Sequence, residues 1–130
     1  MNDRVADKIR SAVGRVAAER GELHFAALVQ REGTPPDMWD LVLVAPWVTN
    51  NKREVLERLF SELRRSLSRS DFLEIARIVL LDRIDPSREP IPRGLPITSD
   101  LARATGPGRF LGVEARDVYY LIADGALQKS

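Results

Sequence analysis

The chain has 130 residues, with 20 Lys and Arg against 19 Asp and Glu and a formal net charge of +1, so its overall field draws no polyanion strongly. At 44% hydrophobic and 30% charged residues it has the composition of a soluble globular domain, and a single α+β domain over 1–130 is expected at this length. With no cysteine, disulfides, thiolate metal sites and Cys nucleophiles are excluded, which suits a reducing cytoplasm, and the single histidine, His24, excludes chemistry needing two imidazoles.

No apolar run approaches the ~20 residues of a membrane span, and the opening MNDRVADKIR lacks the apolar centre of a signal peptide. Val5, Ile9, Val13 and Val16 recur at steps of three and four, the apolar stripe of an amphipathic helix over 3–20, with Gly21 placed to cap its end. Leu23 to Arg31 then reads as a first strand. Gly33, Thr34, Pro35, Pro36 and Asp37 break the ladder, and Trp39 to Trp47 reads as a second strand paired with the first in an antiparallel hairpin.

Asn51 followed by Glu54 is a capping-box-like start. Behind it Val55, Leu56, Leu59, Phe60, Leu63 and Leu67 repeat at helical spacing, so a second long helix is expected over 51–67, with Val55, Leu59, Phe60 and Leu63 against the sheet. Its charged positions suggest ordinary surface pairs, Glu54 with Arg58 and Glu62 with Arg65. Ile75 to Leu81 reads as a third strand.

Five of the eight prolines fall between Asp82 and Gly108, so a Pro-rich excursion over about 83–108 is expected, carrying at most one short helix at Ser99–Thr105. Val113 to Ala123 completes the set as a fourth strand.

The order α-β-β-α-β-β implies a two-layer sandwich, with a four-stranded, largely antiparallel sheet under two long helices on one face. Strand order 1-2-4-3, a rotated ferredoxin-like topology, fits this best; 1-2-3-4 and 4-1-2-3 are the alternatives. The second and fourth strands are apolar on both faces, whereas two helices cover only one. A second subunit is therefore expected on the other face, through Trp39 or Trp47 and Tyr119 or Tyr120. The competing cover is the Pro-rich segment itself, laid down through Leu95, Ile97, Leu101 and Phe110.

The chemical constellations are incomplete. His24 has no carboxylate or nucleophile beside it in sequence. Asp37, Asp40, Asp82, Asp85 and Asp124 gather at strand ends, where Asp also serves turns, and no Glu-x-Lys follows Asp40 to complete a nuclease-like set. Arg64, Arg65 and Arg69 near the end of the second helix are candidates for phosphate contact, although cations there also complement the helix dipole. A helix-turn-helix over 99–123 fails because VEARDVYYLIA lacks a polar groove-facing side. Glycine-rich 106–112 has no P-loop lysine.

No motif is specific enough to transfer a function from a known family. The expectation is a noncatalytic interaction, regulatory or accessory domain acting as a homodimer, with no cofactor, no bound metal and no membrane partner. A nucleic-acid-binding domain using arginines of the second helix and of the Pro-rich segment, Arg88, Arg93, Arg103 and Arg109, is the alternative. A small-ligand or metal-dependent enzyme with its site under the Pro-rich segment is the third.

Overall fold

A computed structural model describes residues 2–33, 35, 38–49, 51–81, 102–110 and 113–123. In chain order these form α1 (Asp3–Arg20), β1 (Phe25–Arg31), β2 (Trp39–Val44), a 3-10 turn (Pro46–Thr49), α2 (Lys52–Ser66), the single-turn α3 (Arg69–Phe72), β3 (Ile75–Leu81), β4 (Ala102–Phe110) and β5 (Val113–Ala123). The fold is an open α+β two-layer sandwich.

Both long helices begin where their capping residues place them. Asn2 accepts from the Val5 amide at 2.9 Å and Asn51 from the Glu54 amide at 3.3 Å, each satisfying a first-turn donor that has no partner within the helix. The Glu54 carboxylate answers the Asn51 side-chain amide at 2.8 Å. Gly21 ends α1 at φ 136° and ψ −164°, a region that a side chain makes costly. Its amide donates to Ala17 O.

The sheet has five strands in the order β3-β2-β1-β5-β4, with β2 and β3 parallel and the other neighbours antiparallel. The four strands read from the sequence thus stand in the order 4-1-2-3, one of the two alternatives, and not in the rotated ferredoxin-like order. The fifth strand, β4, lies where a loop and a short helix at Ser99–Thr105 were expected. Gly106 and Pro107 fall at the register shift between Thr105 and Gly108, on a strand at the sheet's end. A bulge on an edge strand accommodates a residue without an amide hydrogen, so breakers that look fatal to a ladder are tolerated there. The preceding 82–101, including Asp82, Asp85, Leu95, Ile97 and Leu101, lies outside the described residues.

The two faces of the sheet bury different sets. Toward the helices, Ala26, Leu28, Trp39, Leu41, Leu43, Tyr119 and Leu121 meet Val5, Ile9, Val13 and Val16 of α1 and Val55, Leu59 and Leu63 of α2. Burying one such side chain fully contributes about 1.5–3 kcal/mol, so this layer holds most of the stability. On the opposite face Phe25, Ala27, Val29, Val42, Val44, Val118 and Tyr120 form a second cluster. These residues are buried within a single chain, so the apolar parity of β2 and β5 does not require a second subunit to cover it.

Phe60 departs from its expected place. It is half-buried, at the margin of the helix layer, and packs edge-on against Phe72 with ring centroids 6.1 Å apart. Leu56 is likewise only partly buried, and the sheet contact of α2 is carried by Val55, Leu59 and Leu63.

Candidate interaction surface

The four aromatic residues expected at a subunit contact are dispersed. Trp39 (2% exposed) and Tyr119 (0%) lie under the helices with ring centroids 5.4 Å apart, and Tyr120 (4%) lies on the other face against Phe25. Burial raises the Tyr120 hydroxyl well above the usual tyrosine range. All three side chains are buried within one chain. Trp47 is not on β2 at all, because the strand stops at Val44 and the chain turns into the 3-10 segment. There its indole Nε1 donates to Glu22 O at 2.9 Å, tying the end of β2 to the connection after α1.

Arg64 and Arg65 turn to different neighbours. The Arg64 guanidinium sits 5.5 Å from the centroid of the Phe72 ring. Arg65, one residue further around the helix, faces Glu62 at 3.9 Å on the side toward α1. Arg69 is exposed in α3. His24 precedes β1, with Nε2 3.9 Å from Glu22 and no nucleophile among its described contacts. Among the described residues no group of three or more acidic or histidine side chains is placed to hold a metal ion. Asp37 and Asp124 lie outside the described residues. No described helix is long and apolar enough to cross a membrane.

Two charged clusters were not anticipated. In the first, a shallow groove of about 590 Å³ between α1 and α2 is lined by Arg15, Glu19, Arg58, Glu62, Arg65 and Ser66. Glu62 is not on the surface; it is 5% exposed and receives Arg15 Nε at 2.5 Å and Arg58 NH1 at 2.8 Å. Arg58 also grips both oxygens of Glu19 at 2.9 Å, and Glu54 turns to Arg20 instead of Arg58. The guanidiniums are thus spent on carboxylates of this chain, and the groove is a clasp between helices.

That clasp fixes a pH dependence. Hydrogen bonds from Arg58 and then Arg15 hold the Glu62 carboxyl below the usual carboxylate range against the opposing effect of burial, and Arg58 does the same for Glu19. A carboxyl lowered in the folded state stabilises it fully above the unfolded value of about 4.3 and loses that contribution as pH falls below it. The melting temperature should fall more steeply between pH 5 and pH 3 in the wild type than in Arg58→Ala; equal slopes would show that the clasp does not titrate with folding.

The second cluster lies on the face away from the helices. Asp40 of β2 is 3% exposed, lies in an ion pair with Arg31 Nε of β1 at 2.5 Å, and accepts from Arg77 Nε of β3 at 3.1 Å. Arg77 is directly opposite in the parallel register and Arg31 reaches diagonally. One carboxylate thereby ties three strands together, a structural use of the residue considered for nuclease-like chemistry.

Among the described residues, the margin of the sheet at β3 is left uncovered. Ile75, Ile78, Val79 and Leu81 are only partly buried, Ala76 and Arg77 are exposed, and Leu73, just before the strand, is 60% exposed. Phe72 is also partly buried beside it. No family model matches the chain, and comparison with curated proteins and with solved structures likewise finds no match.

Proposed function

We propose that the chain is a noncatalytic interaction domain, a regulatory or accessory module of the cytoplasm that works as a homodimer. The observation that carries this reading is the uncovered apolar margin at β3, where an end strand of branched aliphatic residues follows the exposed Leu73. Apolar surface of this kind marks contact sites, because burying it against a partner releases the water that it orders. The polar groups best placed for chemistry, Asp40 and Glu62, are each engaged by two arginines of the same chain. The nucleic-acid alternative loses support from the divergence of Arg64 and Arg65.

Sedimentation equilibrium over about 1–500 μM, a range that spans weak and moderate affinities, tests the reading. The mean mass should climb from 14.6 kDa toward twice that value. A species that stays at 14.6 kDa throughout overturns the homodimer.

A further inference from the structure

We draw no further inference here: the strongest candidate, the surface patch between α2 and β3 where Phe60 packs on Phe72 near the exposed Leu73, carries none because nothing in the structure shows what covers it.

Discussion

Leu59→Ala should destabilise the fold by about 2–5 kcal/mol, and Phe60→Ala, one residue along, by roughly half the 3–5 kcal/mol usual for a buried Phe. Leu59 is fully buried between α1 and the sheet, and the helix layer closes around it, so truncation leaves a cavity that surrounding atoms fill only in part. Phe60 is larger, yet its ring stands at the margin and meets Phe72, where solvent occupies the space that truncation opens. Urea unfolding of the two variants, with the slope unchanged, measures the difference. A loss at Phe60 equal to or above that at Leu59 would mean that α2 is rotated from the orientation described.

Asp40→Ala is the second large effect, expected to cost about 1–3 kcal/mol. Removing one partner of a fully buried ion pair costs about 3–5 kcal/mol, because the other charge is left desolvated. Here the side chains of Arg31 and Arg77 are 33% and 54% exposed, so water takes back part of their charge and the loss is smaller. Asp40→Asn should fall between alanine and wild type, since the amide keeps an acceptor but not the charge. A double-mutant cycle with Arg77→Ala measures the coupling across β2 and β3. A coupling below about 0.3 kcal/mol would show that Asp40 is held by its surroundings and not by the arginine.

Asp40 also shows why this part of the molecule was hard to read. In sequence it is one carboxylate inside an apolar strand, WDLVLV, and its partners lie nine residues before it and thirty-seven after it. Nothing local distinguishes a strand-end Asp that serves a turn from one that binds two strands. Glu62 misleads in the same way. Its spacing to Arg65 suggests a surface pair, but its closest cation is Arg15 of the other helix, which reaches it only because α1 and α2 pack side by side. The signal that was present is the polar residue in an otherwise apolar run, since a buried charge requires a partner somewhere in the chain.

The sequence by itself determined the two long helices, the caps at Gly21 and Asn51, the hairpin of β1 with β2, the positions of β3 and β5, and the α+β layering, because these follow from periodicity and from hydrogen bonds within a few residues. Only the tertiary structure decided the rest. Strand order depends on which edges meet, and residue patterns along one strand do not encode its neighbour. β4 was hidden because Gly106 and Pro107 act as breakers in isolation and are accommodated at a bulge once β5 supplies the pairing. Trp39, Tyr119 and Tyr120 look alike as apolar strand residues whether a helix, the rest of the chain or a second subunit covers them. Their burial is a property of the assembled layers, and it moves the question of a partner from the sheet's face to the edge at β3.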